Sequence, residues 1–314
     1  MMRSNYTRRE WLKKATTLAA GAALTRGSPL GAFTASPSGY HPVLSVQAYI
    51  WIQHLEQEKK TFAEGVEDML ATFHRAGYRN VDLTDGFLGP DLREKTLALL
   101  SKYSLAMPTF YASSTLHEPE AAEKSIHAIL ELARATKPAG VRGIVTNPSP
   151  KPNQGRKADV ELALQAQNLN RLGAELQVLG VRLMVHHHTP ELLEKGREWR
   201  HQLQHTDPKL VGCCVDVHWA YRGGEEPLSF IREVRDRLEC LHLRNSKDGV
   251  WMEDFADGDV DYGEIADYLK QIGYSGYLVV ELAYEKGTKV ARPLEEDLRL
   301  SRLYAEKVFG LASG

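Results

Sequence analysis

Several features that define whole classes of protein are scarce or missing from this sequence of 314 residues. Its three cysteines, Cys213, Cys214 and Cys240, are an odd number without a spacing pattern, which argues against a disulfide framework. We expect them to be buried thiols that act as small apolar side chains. No apolar run reaches the roughly 18 residues of a transmembrane helix. The net charge of -2 gives no basic surface that would indicate a nucleic-acid partner.

Motifs for nucleotides and phosphates are also missing. No G-x-G-x-x-G follows the first predicted strand, so a dinucleotide-binding sheet is disfavoured. The loop over residues 147–155 contains three prolines but no glycine-rich pattern that could cradle a phosphate group. We therefore expect a substrate without a phosphate group.

The first forty residues have a composition of their own. Arg8 and Arg9 form a twin-arginine block, which is followed by a weakly apolar stretch (residues 15–24) and a stretch of small residues and prolines (residues 27–39). These are the parts of an export signal of the twin-arginine type. We predict that residues 1–40 are a signal peptide or a disordered N-terminus. The mature chain would then be periplasmic or otherwise extracytoplasmic, without a membrane partner once the signal is removed.

From residue 41 onward, short apolar runs alternate with segments of helical periodicity. The predicted strands cover residues 43–52, 80–83, 105–111, 141–146, 182–187, 211–217, 240–243 and 277–282. A helical segment follows each of them, and this alternation is typical of a parallel sheet with helices outside it. Eight such units predict a single α/β domain, a (β/α)8 TIM barrel over residues 41–314, with a doubly wound open sheet as the alternative.

Each of the last four predicted strands ends at a potential metal ligand, namely His186, Asp216, His242 and Glu281. The gaps between them are 30, 26 and 39 residues, about one βα unit each. The carboxyl ends of barrel strands surround the active site, so we expect these side chains to meet there. Imidazole nitrogen and carboxylate oxygen suit Mn, Zn, Co, Mg or Fe(II). The cysteines come earlier in their strands and are excluded as ligands. The sequence thus predicts one divalent metal ion.

Three motifs carry a resemblance to a known family. The stretch LGVRLMVHHHTPE (residues 179–191) resembles an L-G-V-x-L-x-Y-H-N-H-x-x-E pattern, and DPKLVGCCVDVHW (residues 207–219) resembles D-P-x-x-V-G-x-x-x-D-x-x-W. The stretches LHLRNSKD (residues 241–248) and LVVE (residues 278–281) resemble the ligand motifs of the last two strands. The chain therefore resembles the sugar isomerases and epimerases with a xylose isomerase-like TIM barrel. That resemblance implies one divalent metal held by residues at the ends of the fifth to eighth strands.

The fifth strand departs from the family pattern. Better-known members have a glutamate there, which binds the metal beside a substrate carbon, whereas this chain has three histidines. We align His186 with that glutamate, and His188 is the alternative ligand. The departure also puts in doubt the sharing of proton transfers between two glutamates.

Further residues near these strand ends are candidates for catalysis. A histidine titrates near neutral pH and can serve as a base without a large shift in pKa. His188 and His218 are therefore the candidate bases. Glu191 could orient a histidine or bind a hydroxyl group, and equally it could be an ordinary carboxylate in the first turn of a helix.

Substrate contacts are predicted from charge and aromatic character. Arg244 and Lys247 follow His242 closely and could hold substrate oxygens, the alternative being solvated loop charges. Trp219 and Tyr111, and also Trp51 and Trp251, could stack on a sugar ring, although aromatic side chains in barrels more often serve packing.

These features favour a metal-dependent isomerase or epimerase that acts on an unphosphorylated sugar or keto-sugar through an enediolate. A lyase or hydratase acting next to a ketone would use the same intermediate. Two other classes remain as alternatives, a phosphodiesterase of the endonuclease IV type and a non-catalytic sugar-binding barrel. The expected partner is a small sugar, and a homo-oligomer is left open.

Overall fold

The computed structural model describes residues 39–152 and 155–312. Almost all of the predicted export signal lies outside these residues. Eight parallel strands close into a barrel in which each strand lies beside the barrel strands before and after it in the chain, and the last lies beside the first. Helices alternate with the strands along the chain. The predicted α/β TIM barrel is therefore confirmed. None of the helices within the described residues is long and apolar enough to cross a membrane.

The barrel strands are short, as buried parallel strands usually are. They are β1 (Val43–Gln47), β2 (Asn80–Thr84), β3 (Ala106–Tyr111), β4 (Gly143–Thr146), β5 (Arg182–Val185), β6 (Val211–Asp216), β7 (Leu238–Leu243) and β10 (Tyr277–Val280). A hairpin of β8 (Ser246–Lys247) and β9 (Val250–Trp251) interrupts the long loop after β7. The helices are α1 (Tyr49–Glu58), α2 (Phe62–Arg75), α3 (Arg93–Lys102), α4 (Pro119–Thr136), α5 (Asp159–Val178), α6 (Thr189–His205), α7 (Val217–Arg222), α8 (Pro227–Glu233), α9 (Tyr262–Gln271) and α10 (Leu294–Phe309).

The first predicted strand is wrong in its second half. The structure ends β1 at Gln47 and begins α1 at Tyr49, where the sequence predicted one strand over residues 43–52. Trp51 and Ile52 both donate main-chain hydrogen bonds to the carbonyl oxygen of Ala48, which starts the helical turn. A short apolar run fits a buried helix as well as a strand, so its periodicity could not separate the two.

The sixth predicted strand, residues 211–217, is one residue too long. The strand β6 ends at Asp216, whose carboxylate Oδ1 accepts a hydrogen bond from the main-chain N–H of Trp219 at 2.7 Å. This contact caps the first turn of α7 and satisfies an N–H group that a helix start leaves unpaired. His218 therefore lies in a helix and not on the strand that carries Asp216.

The interior of the barrel contains the predicted buried cysteines. Cys214 and Cys240 are opposite each other on β6 and β7 and pack with Val145, Met184 and Val279. All three cysteines are free and buried, which confirms their packing role. Most of the remaining core lies between the strands and the helices that follow them.

Candidate metal centre and substrate cavity

The four predicted metal ligands lie together at the carboxyl end of the barrel. His186, Asp216, His242 and Glu281 each offer one ligand atom, and these atoms all lie within 4.8 Å of one another. All four side chains are buried. The backbone explains the proximity, because Asp216 and His242 are opposite each other across β6 and β7. Glu281 follows β10 and is held by a main-chain bond to Leu243.

Two kinds of contact hold the cluster together. His242 Nδ1 lies 2.6 Å from Glu281 Oε2. One nitrogen of Arg244, Nη2, lies 3.0 Å from Asp216 Oδ2 and 2.8 Å from Glu281 Oε1. Burial alone would raise the pKa of Glu281, but Arg244 and then His242 outweigh it and hold that pKa at about 2. The carboxylate of Glu281 is therefore ionised at neutral pH.

The donor atoms of the cluster fit a divalent cation. His186 Nδ1 and His242 Nε2 are buried and lack a hydrogen-bond partner within the described chain, whereas buried polar atoms are normally paired. Burial, and next the nearby His242, lowers the pKa of His186 well below its usual value. A neutral imidazole is the form that binds a metal. Two imidazoles and two carboxylates match Mn, Zn, Co or Fe(II).

Cys214 is closer to this cluster than its position in the strand suggested. From their place before the strand ends, the cysteines are not expected to be ligands. In the structure, Cys214 lies within the same 4.8 Å limit of ligand atoms on His186 and His242. Burial raises the pKa of the Cys214 thiol well above its usual range. A protonated thiol is a poor ligand, so Asp216 and Glu281 complete the better set.

A cavity of about 190 Å³ opens beside the ligand cluster. Its lining residues are Gln47, Tyr49, Thr84, Tyr111, His186, His188, Trp219, Arg244, Trp251 and Glu281. A larger cavity of about 560 Å³ lies around Tyr40 and Arg79, but it contains none of the predicted site residues. The smaller cavity is therefore the candidate substrate site.

The cavity contains most of the predicted substrate contacts. Tyr111, Trp219 and Arg244 line it, and so does Trp251. The Arg244 guanidinium lies 5.7 Å from the ring centre of Trp219 and 4.8 Å from that of Trp251, so the two indoles and this cation form one continuous wall. Such a wall offers an apolar face and a polar edge, as a sugar ring requires.

Two of the predicted contacts lie elsewhere. Lys247 is exposed on β8 and does not line the cavity. Trp51 is buried in α1, where its ring meets that of Phe73 edge-on at 6.2 Å. Stacking of Trp51 on a sugar is therefore excluded by its place in the core.

The candidate base His218 is enclosed by protein groups. Its Nε2 lies 2.8 Å from Ser246 Oγ, and its Nδ1 accepts a hydrogen bond from Trp251 Nε1 at 3.1 Å. Burial, and then Arg244, lowers the pKa of His218 to about 3. With both nitrogens occupied and the ring outside the cavity lining, His218 supports Trp251 and cannot reach a substrate in this arrangement.

His188 and Glu191 start helix α6 together. Glu191 Oε2 accepts a hydrogen bond from the main-chain N–H of His188 at 2.7 Å, which is a cap of the kind that satisfies helix starts. Burial, and then the charge of Glu198, raises the pKa of Glu191 to about 7. Burial lowers the pKa of His188 to about 4. Of these two, only His188 lines the cavity.

Several residues of the site were not predicted from the sequence. Gln47 and Thr84 close the strands β1 and β2 and line the cavity, but neither belongs to a recognisable motif. Tyr49 was hidden inside the wrongly extended first strand. Asn147 follows β4, and its amide nitrogen lies 2.9 Å from His188 Nδ1. The position of these residues just after a strand was the one available signal.

The sequence of this chain is similar to those of known proteins. The family model described as a xylose isomerase-like TIM barrel matches residues 43–304. An inosose dehydratase of Clostridium perfringens is 28% identical over 160 residues, which are 45% of this chain and 53% of that protein. An inosose dehydratase of Geobacillus kaustophilus is 28% identical over 156 residues, or 44% of this chain and 50% of that protein. The chain thus spans about half the length of these curated relatives.

Solved structures show the same fold at lower identity. An L-ribulose 3-epimerase superposes with a TM-score of 0.69 at 12% identity, covering 86% of this chain and 95% of the other. A 3-keto-D-glucoside 4-epimerase from E. coli superposes with a TM-score of 0.65 at 15% identity, covering 85% of this chain and 99% of the other. At such identities the likeness establishes the fold alone.

Proposed function

The chain belongs to the xylose isomerase-like TIM barrel family, and on that premise we propose that it is a divalent-metal-dependent enzyme that removes a proton next to the carbonyl of an unphosphorylated sugar or keto-sugar. The observation that carries the proposal is the buried cluster of His186, Asp216, His242 and Glu281, whose ligand atoms lie within 4.8 Å of one another. Two of these residues, His186 and Glu281, also line the adjoining cavity.

The residues of the chain and the bound cation would have different roles. His186, Asp216, His242 and Glu281 would hold a divalent ion. When bound, that ion supplies electrostatic stabilisation for negative charge on adjacent substrate oxygens. Glu281 is the one carboxylate among the described residues of the cavity lining. Because its carboxylate lines the cavity beside the ligand cluster, it is the proton acceptor that we assign.

The charges of the cavity support a substrate without phosphate. Arg244 is the one permanent cation among the described lining residues, and its Nη2 already contacts the carboxylates of Asp216 and Glu281. A phosphate group requires several donors or free cations. The aromatic wall of Trp219 and Trp251 instead suits the apolar face of a sugar or cyclitol ring.

For the reaction that follows proton abstraction, we favour elimination. The sequence alone favoured isomerisation or epimerisation. Inversion at carbon uses proton-transfer groups on both faces of the substrate. Both ring nitrogens of His218 are occupied by Ser246 and Trp251, and Glu281 is the one carboxylate among the described lining residues, so the cavity offers one carboxylate base and not a pair. The relatives that are inosose dehydratases support the same choice.

The other two classes have less support. A phosphodiesterase of the endonuclease IV type uses about three metal ions. The residues described here offer one set of four ligands and an overlapping set that shares His186 and His242. A non-catalytic sugar-binding barrel would not need ionisable ligands buried together beside its cavity, because burying charged groups is costly.

The direct test is proton exchange in heavy water. Protein loaded with Mn²⁺ is incubated with unphosphorylated keto-cyclitols, 3-keto-glycosides and ketohexoses, and the products are followed by NMR. We expect deuterium at a carbon next to the carbonyl and release of water or of a glycosidic group. Exchange with rearrangement but without release would favour an isomerase. No exchange across the whole panel would refute the proposal.

Two variants test the role of Glu281 in that experiment. Glu281→Gln should abolish exchange, because an amide cannot accept the proton and is also a weaker ligand for the metal than a carboxylate. Glu67→Gln is the matched control, because Glu67 pairs with Lys102 on the surface, outside the cavity lining, and its loss should leave exchange intact. Three tightly bound metal ions per chain would instead revive the phosphodiesterase alternative.

A further inference from the structure

The ring of His188 is held in one orientation by its neighbours. Its Nδ1 lies 2.9 Å from Asn147 Nδ2. The ring also meets His186 at 4.9 Å and Trp219 at 5.4 Å between centroids, both edge-on. The main-chain N–H of His188 is bonded to Glu191. The ring therefore cannot exchange the positions of its two nitrogens without breaking these contacts.

The contact with Asn147 determines where the ring proton sits. The amide nitrogen of asparagine carries two hydrogens and is a donor only. His188 Nδ1 must then be the acceptor, which requires it to be unprotonated. In a neutral ring the single proton is consequently on Nε2. A doubly protonated ring would place one N–H group against another across this contact.

The other ring nitrogen, Nε2, makes no hydrogen bond to the residues that the structure describes, and His188 is a lining residue of the cavity. Asn147 is buried, and its Oδ1 has no hydrogen-bond partner among the described residues, so the contact with His188 is the one hydrogen bond of its amide. The buried amide thus fixes one side of the ring and leaves the opposite N–H free for a ligand.

We propose that Asn147 is a positioning residue that holds His188 in the tautomer with the proton on Nε2, so that His188 donates a hydrogen bond to a substrate oxygen. The donor role rests on the proposed function, whereas the tautomer does not. This donor role takes the place of the role of a base that the sequence suggested for His188. When the carbon–hydrogen bond breaks, its proton goes to Glu281 and its electron pair moves toward the carbonyl oxygen. The His188 N–H bond stays intact and stabilises the charge that develops on that oxygen.

The tautomer is tested by NMR on the full chain without metal. Histidine is labelled with ¹⁵N, and the His188 signals are identified from their loss in His188→Gln. In the unaltered protein we expect an unprotonated Nδ1 and a protonated Nε2. Asn147→Asp should reverse this pattern, because a carboxylate accepts a hydrogen bond and draws the proton to Nδ1. Asn147→Ala should give a mixture, and it serves as the second variant if the aspartate variant does not fold.

Asn170→Asp is the matched control, since Asn170 also makes hydrogen bonds, to His205 and Asp207 in a different part of the chain. It should leave the His188 signals unchanged. A protonated Nδ1 in the unaltered protein, or an unchanged tautomer in Asn147→Asp, would overturn the assignment of Asn147.

The donor role is tested with the substrate found by proton exchange. We expect Asn147→Asp to lower kcat by roughly 10- to 100-fold, the usual effect of losing a residue that orients a site group, with a smaller change in KM. An unchanged kcat despite a reversed tautomer would refute the donor role. If the unaltered protein exchanges no proton with any substrate, the proposed function and the donor role both fail, while the NMR result still decides the tautomer.

Discussion

Arg244 is the residue on which the charge balance of the site depends. Its guanidinium is buried and contacts two carboxylates, those of Asp216 and Glu281. Burying two carboxylates side by side is unfavourable because like charges repel and each loses its hydration. One cation between them removes much of that penalty. Arg244 therefore keeps the ligand set compact in the metal-free protein.

Replacement of Arg244 by methionine should destabilise the metal-free protein strongly. We expect a loss of about 3–5 kcal/mol in the free energy of unfolding, because two buried carboxylates lose their partner. Urea unfolding measures this. Added Mn²⁺ should restore part of the loss, since the metal supplies the missing positive charge. Arg299→Met, which breaks an exposed pair with Glu296, is the control and should cost less than about 1 kcal/mol. Equal losses in the two variants would contradict this role of Arg244.

The pKa of Glu191 predicts a specific pH dependence of stability. Burial raises this pKa from 4.5 to about 7, so the folded protein holds the proton more tightly than the unfolded chain. The resulting cost is absent below the unfolded pKa and grows as the pH rises toward the folded pKa. Its upper limit is roughly 3 kcal/mol, since each unit of pKa corresponds to about 1.4 kcal/mol.

Glu191→Gln should remove this pH dependence while keeping an oxygen that can accept the His188 N–H. Urea unfolding of both proteins at pH 5 and pH 8 gives the comparison. We expect the free energy of unfolding of the variant, relative to that of the unaltered protein, to be higher at pH 8 than at pH 5. A difference that does not change with pH would show that Glu191 is ionised throughout.

At the scale of elements, the three consecutive histidines show what a sequence pattern cannot predict. His186 enters the ligand cluster, His187 packs against Trp199 and Phe230, and His188 starts α6. Their side chains thus serve three different environments within three residues. Strand alternation would place His187 on the opposite face from its two neighbours. It could not distinguish His186 from His188, because β5 has already ended and the chain is turning into a helix.

Helix α6 contains an unusual turn shortly after its start. Glu194, Lys195 and Gly196 have positive φ angles of 53°, 61° and 69°. Only glycine adopts this region without penalty, and other residues pay roughly 1–2 kcal/mol each. The turn therefore strains the main chain at the two positions that are not glycine, Glu194 and Lys195.

The substitution Lys195→Gly should accordingly stabilise the protein by roughly 1 kcal/mol. The same substitution at Lys124, exposed within the regular helix α4, should destabilise it by about 1 kcal/mol. Thermal and urea unfolding of both variants provide the measurement. Destabilisation by both substitutions would mean that Lys195 is not strained in solution.

At the scale of the whole molecule, the barrel was predictable because each unit repeats the same signals. Apolar strand, polar loop and amphipathic helix recur, and the strand ends must meet on one face once the sheet closes. The ligand cluster follows from that closure alone. The cavity wall was less predictable, because Tyr49 and Trp251 reach it from a helix and a hairpin, and Asn147 contacts the lining residue His188 from a loop. Their positions depend on packing between distant segments, which periodicity does not contain.

The ligand cluster joins four strands of the barrel, so metal binding should stabilise the whole fold. A ligand that binds only the folded state adds RT ln(1 + [L]/Kd), about 2.7 kcal/mol at a concentration 100 times Kd. For a domain of this size that corresponds to a rise in Tm of roughly 5–10 °C. We expect Mn²⁺ to raise Tm by this amount and a chelator to reverse it. His186→Leu should abolish the rise. His187→Leu makes the same change at the neighbouring buried ring, which packs against Trp199 and His186 but is not in the ligand set, and it should keep the rise. If His186→Leu retains the full rise in Tm, the metal is bound elsewhere than at the four strand ends.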